Sequence, residues 1–87
     1  MEDRELLITL LAECDSRLSR KPNFRPLGII KEEVEYLLAL IDGKTKDREN
    51  LKRIQIGLLA IREFEADDPQ FADLIFQVAD IVKKLQD

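Results

Sequence analysis

Apolar residues recur at three- and four-residue steps in four stretches of this chain, divided by polar segments carrying proline or glycine. Over residues 3–20 the stripe is Leu7, Leu10, Leu11, Cys14 and Leu18, the spacing of one face of an α-helix. "KPNFRPLG" interrupts it with two prolines and a glycine, and Phe24 between the prolines is expected to tuck beneath the loop. The rhythm resumes over 27–42 through Leu27, Ile30, Val34, Leu37, Leu38 and Ile41. It stops at Gly43, which suits the left-handed residue after a helix end. A third helix over 48–66 is predicted with Leu51, Ile54, Leu58, Ile61 and Phe64 on one side and Asp47 as its N-cap. A fourth, over 69–86, carries Phe71, Leu74, Val78, Ile81 and Leu85. Asp68 caps it, and Pro69 takes the first helical position, where its missing N–H costs nothing.

No stretch alternates with the period of two that a strand needs. Short loops between helices favour antiparallel neighbours, so the expected architecture is all-α: a small up-down antiparallel helical bundle of about four helices in one domain, residues 1–87. Ile56, Leu59, Ile75, Phe76 and Val82 broaden the apolar faces of the last two helices. Either the third helix is central, or these residues meet a second copy of the chain as a homodimer. Gly57 costs about 1 kcal/mol against alanine inside a helix, and close approach of another helix is its expected reason.

Composition narrows the function. Eighty-seven residues suffice for one core without staples. The net charge of −4 argues against nucleic acid and against an anionic membrane surface, and leaves a basic protein face as the natural partner. Cys14 is the only cysteine and lies in an apolar stripe, which fits a buried small hydrophobe rather than a reactive thiol. "MEDRELL" lacks the layout of a secretory signal, and no apolar run approaches the roughly 20 residues of a membrane span, so a cytoplasmic location is expected.

Catalytic parts are scarce. Without histidine there is no Ser-His or Cys-His pair, and the usual zinc ligands are missing. The glycines are isolated, so no phosphate-cradling loop forms. No cofactor or metal is expected, and no catalysis. The alternative enzymatic reading comes from "KEEVEYLLALIDG", which loosely resembles the all-helical magnesium-dependent nucleoside triphosphate pyrophosphohydrolases. Their Glu-Glu-x-x-Glu run would place hard oxygen ligands on one helix face. Here Tyr36 occupies the third carboxylate's place, and Glu35 points about 100° away from it. Glu65 and Asp68 have the second spacing, but they straddle the boundary marked by Pro69. A helical dimerisation or adaptor module is the remaining alternative.

"EFEADDP" concentrates carboxylates at a helix junction. Asp68 and Asp67 favour the positive end of the fourth helix, whereas Glu63 and Glu65 lie at the end of the third, where the dipole disfavours them. Around this corner Asp47-Arg48, Leu51, Ile54, Gly57, Ala60, Glu63-Phe64, Asp68-Pro69 and Ala72 come in order, behind Leu37 and Leu40 ahead of Gly43. That series, over roughly residues 30 to 80, resembles the small helical immunity proteins of bacterial type VI secretion systems that neutralise NAD(P)+ glycohydrolase toxins. The resemblance implies a protein that binds a cognate toxin domain and occludes its NAD(P)+ site without chemistry of its own. A cleft that binds a pyrophosphate offers a cationic surface, which carboxylates can face.

The partner-binding candidates from the surface reading are Glu63, Glu65 and Asp67, with Glu32 and Glu35 as a second acidic ridge. Lys31 has the spacing to pair with Glu35. Tyr36, and likewise Phe76, is an aromatic anchor if exposed. Arg48 and Arg62 are left without an assigned role.

Overall fold

The computed structural model describes residues 2–86. Helix α1 spans Asp3–Arg20, α2 spans Arg25–Ile41 and α4 spans Pro69–Gln86. No strand occurs among the described residues, and the fold is the expected small all-α bundle. α1 packs on α2 and α4, and the shorter third helix closes the ring against α2 and α4. The centre is filled by Leu7, Leu10 and Cys14 from α1, Leu27, Ile30, Val34 and Leu37 from α2, and Phe71, Ile75, Val78 and Ile81 from α4. Among the described residues, no charged or polar one is buried.

The ends of the helices reflect local chemistry. α2 begins two residues earlier than the apolar rhythm suggests, because Pro26 is accepted in the first turn. It ends in a Schellman motif. Lys44 N–H donates to the Ala39 carbonyl at 2.9 Å and Gly43 N–H to that of Leu40 at 3.2 Å. Gly43 itself has φ 75°, the left-handed geometry expected of it. Phe24 does tuck beneath its loop, edge-on to Phe64 with ring centroids 6.0 Å apart.

The third helix departs most from expectation. The expected continuous helix over 48–66 is broken: a 3-10 turn, Glu49–Arg53, is followed by an extended Ile54 before α3, Ile56–Leu59, begins. α3 runs directly into a π turn, Ala60–Phe64, in which Glu65 N–H reaches the Ala60 carbonyl at 2.8 Å. These two irregularities rotate the helix relative to the stripe read from the sequence. Leu51 and Ile54 lie outside α3, so they cannot set its register. Ile56, Leu59 and Ala60 face the core instead. At ordinary α pitch Phe64 would sit about 80° from Ile56. The wider π turn takes up an extra residue and brings Phe64 back inward. Leu58 and Ile61, expected inside, are 52% and 55% exposed.

Gly57 has a milder environment than its position suggested. A Cβ built there would lie 3.7 Å from the Cβ of Ala79 on α4, an ordinary contact. Gly57→Ala is therefore expected to stabilise the protein by about 0.4–1 kcal/mol through the unfolded state, measured as a higher urea midpoint.

Candidate functional site

Two clusters of charged residues organise the surface. The first is the acidic corner. Asp68 precedes Pro69 and caps α4 by accepting the Phe71 amide. It also accepts a hydrogen bond from Arg17 Nε at 2.9 Å, which ties the end of α1 to the start of α4. Arg17 is largely covered: Nη1 donates to the carboxylate of Glu13 at 2.7 Å, and the guanidinium lies 4.1 Å from the Phe71 ring centroid. Arg17 and the Phe71 amide hold the Asp68 carboxyl below its ordinary range, the arginine being the larger cause.

Beside this pair opens a cleft of about 530 Å³ lined by Arg17, Arg20, Lys21, Glu63, Asp67 and Asp68, with Phe24, Leu27 and Phe64 at its apolar base. The acidic corner is thus not a uniformly negative wall. Glu63 and Asp67 share a cleft with Arg20 and Lys21 from the end of α1, a neighbourhood invisible to local sequence. Glu65 is exposed, and Glu63 is half-buried. Among the described residues, no ion pair within 4 Å engages Glu63, Glu65, Asp67 or Arg62.

The second cluster lies on α2. Glu33 reaches across to the start of α3, where its carboxylate accepts the Gln55 amide at 3.1 Å and 3.3 Å through its two oxygens, and also the Ile56 amide. It caps a helix 22 residues away, the role expected of Asp47. Asp47 instead accepts the Glu49 amide at 3.0 Å and shapes the 3-10 turn. Burial pushes the Glu33 carboxyl up, opposed by those two amides. Tyr36 is half-covered and donates its hydroxyl to the Asp47 carbonyl at 2.6 Å, so it pins the loop. Glu32 and Glu35 are exposed, but the expected Lys31–Glu35 pair gives way to Lys31–Asp15 at 2.8 Å, joining α2 to α1. Arg48 donates to the Leu85 carbonyl, fastening the loop to the end of α4.

The described residues contain no group of three or more Asp, Glu, Cys or His that could hold a metal ion. Glu33, one of the two adjacent carboxylates of the magnesium-like run, is committed to backbone amides. Cys14 is fully buried, and burial pushes its thiol up to about 12, which keeps it protonated and unreactive. No helix among the described residues is long and apolar enough to cross a membrane.

These carboxylates give the protein a pH signature. Asp68 and Asp42 sit below their ordinary values, held chiefly by Arg17 and by Arg4, whose Nε donates to Asp42 at 2.9 Å, so their stabilisation is present above roughly pH 4 and lost as pH falls further. Glu33 works the other way. Its raised value means the folded state binds that proton more tightly, so acidification through its titration toward roughly pH 4.3 adds stability. Denaturant midpoints measured across pH should rise as Glu33 takes up its proton and fall once the pH drops below about 4. Glu33→Gln should remove the rise, and Asp68→Asn should reduce the fall.

Fold and side chains together define a helical bundle whose polar groups pair with one another, cap helix ends and cover its surface. Residues 2–84 match the family model of Tsi6, and the chain belongs to the Tsi6 family. It is 28% identical over 68 residues to the immune protein Tsi6 of Pseudomonas aeruginosa, an alignment covering 78% of this chain and 72% of that protein. The fold is similar to the solved structure of Tsi6 from Pseudomonas aeruginosa, with a TM-score of 0.89 at 24% identity over 94% of this chain and 85% of the other. A structure of Tse6 in complex with Tsi6 contains a chain matched at TM-score 0.93 and 23% identity, covering 99% and 92% of the two chains.

Proposed function

We propose that this chain is an immunity protein that binds a cognate secreted toxin, and that it acts by covering the toxin's NAD(P)+ site without catalysis of its own. The observation that carries this reading is the family match across residues 2–84, joined to a relative described as an immune protein. A related fold in complex with Tse6 supports a protein partner, and the sequence resemblance supports an NAD(P)+ glycohydrolase as that partner's activity. Protection of a cell from such a toxin calls for action in its cytoplasm.

Occlusion asks for shape and charge rather than a nucleophile. Glu63, Glu65 and Asp67 are the carboxylates this reading places against a cationic dinucleotide cleft, with Glu32, Glu35 and Tyr36 a second, more distant set. Tyr36 is already engaged with Asp47, which makes it the weakest of the six as a contact.

Co-expression with the toxin domain encoded by the adjoining gene tests the reading. The expected result is a stable co-purifying complex and survival of cells that the toxin alone kills. An adjoining gene without a toxin, or a toxin that remains lethal in the presence of this chain, removes its support. In the complex, Glu63→Lys with Glu65→Lys should slow association on the order of tenfold at low salt while leaving the melting temperature near wild type. An unchanged association rate would discard those two carboxylates as contacts.

A further inference from the structure

The cleft of about 530 Å³ beside the Arg17–Asp68 pair carries charge of both signs. Arg17 and Asp68 are committed to each other at 2.9 Å. Arg20 and Lys21 enter from the end of α1, and Glu63 and Asp67 from the junction of the third helix with α4. None of these four has an ion-pair partner within 4 Å among the described residues. Lys21 Nζ stands 5.7 Å from the Phe24 ring centroid, and Phe24 forms the apolar floor with the more deeply buried Leu27 and Phe64. Cations at the end of α1 suit its dipole. The dipole alone, however, calls for neither unpaired carboxylates nor an apolar floor beside them.

These features select the occupant. A polyanion, whether nucleic acid or an anionic membrane, is repelled by Glu63 and Asp67, and a uniformly basic surface by Arg20 and Lys21. A small dipolar molecule needs a pocket that encloses most of its surface, whereas Arg20, Lys21 and Asp67 are exposed. An apolar floor with an exposed charged rim is the anatomy of a protein interface. The Arg17–Asp68 bond joins α1 to α4 and so holds the charged groups in place before a partner arrives. We propose that this cleft determines which toxin the chain recognises, by seating a toxin segment whose apolar side chain lies between a carboxylate and a basic side chain. Arg20 and Lys21 meet the carboxylate, Glu63 and Asp67 the basic group, and Phe24 the apolar one. This inference rests on the toxin-binding reading and adds to it the cations, for which a purely negative cover has no use.

Titration calorimetry of the full chain against the toxin domain encoded by the adjoining gene tests it. Arg20→Gln with Lys21→Gln makes the chain more negative, so attraction to a cationic toxin cleft alone predicts equal or tighter binding. The proposal predicts binding weaker by about tenfold or more. The melting temperature should stay near wild type, because both side chains are exposed. The loss should shrink between about 0.1 M and about 1 M salt, which screens charge contacts and would not repair a folding defect. Lys44→Gln with Lys46→Gln removes the same charge beyond the far end of α2 and should bind within about threefold of wild type. An Arg20 and Lys21 variant that binds as tightly as wild type, or a loss that salt leaves unchanged, overturns the assignment of this cleft while leaving toxin binding intact. An equal loss from the Lys44 and Lys46 variant reduces the effect to net charge and overturns it as well. A wild-type chain that binds no toxin domain overturns both the cleft and the toxin-binding reading.

Discussion

Phe71→Ala is expected to destabilise the protein by about 3–5 kcal/mol, the largest loss of any single core truncation. Phe71 is 2% exposed and sits in the first turn of α4, where three elements converge. Its ring meets Phe64 edge-on with centroids 4.9 Å apart, and Phe64 in turn meets Phe24. The Arg17 guanidinium covers its face at 4.1 Å. Truncation therefore opens a cavity, ends an aromatic pair and exposes the underside of a half-buried cation. A domain of this size has roughly 5–15 kcal/mol of stability to lose. The urea midpoint of Phe71→Ala should consequently fall by about a fifth or more, and Phe71→Leu should recover much of it. A stability within about 1 kcal/mol of wild type, close to the error of such measurements, would mean that the aromatic chain contributes little.

Arg17→Ala should cost about 2–3 kcal/mol, unusually much for an arginine near a surface. Exposed ion pairs contribute a median of about 0–1 kcal/mol. Arg17 differs because its side chain is only 19% exposed and serves Asp68, Glu13 and the Phe71 ring together. Removing it leaves Asp68 with the Phe71 amide but without its cation, and strips cover from the aromatic chain. Arg17→Lys should recover less than half of the loss, since an ammonium cannot reproduce the planar fork that spans both carboxylates. The comparison of the two variants by chemical denaturation isolates geometry from charge. Equal stability of Arg17→Lys and wild type would reduce the interaction to simple charge.

How far the sequence carried the fold can be judged residue by residue. α1 and α4 were legible because their apolar stripes are regular, and the helix ends carry local signals: Gly43 after α2, and Asp68-Pro69 before α4. The family resemblance was legible for the same reason, since its series is built of such punctuation. The register of the third helix was not. A period near 3.5 drawn through Leu51, Ile54, Leu58, Ile61 and Phe64 assumes one uninterrupted helix. The chain has a 3-10 turn, an extended residue and a π turn in that interval. Two buried alternatives, Ile56 and Leu59, were visible in the sequence, and only packing against α2 and α4 decides between the sets.

The charged residues divide in the same way. That carboxylates crowd residues 63–68 is a fact of sequence, as is the fitness of Asp68 to cap. That Arg17, 51 residues earlier, neutralises Asp68 depends on how α1 meets α4. Glu33 carried the faint signal of a metal motif and turned out to cap α3, because a carboxylate on α2 found two unsatisfied amides opposite it. Long-range partners of this kind have no local spacing to betray them. The exposed pair Leu58 and Ile61 was hidden for the opposite reason, since its spacing imitates a core stripe.

With the cognate toxin domain, which the proposed function takes to consume NAD(P)+, the most direct measurement is its rate of NAD+ consumption titrated with this chain. Binding that covers the active site predicts a linear fall to no activity at one equivalent, with recovery when the complex is dissociated and no change to the immunity chain itself. A toxin that turns over at its full rate in the presence of excess chain would contradict it.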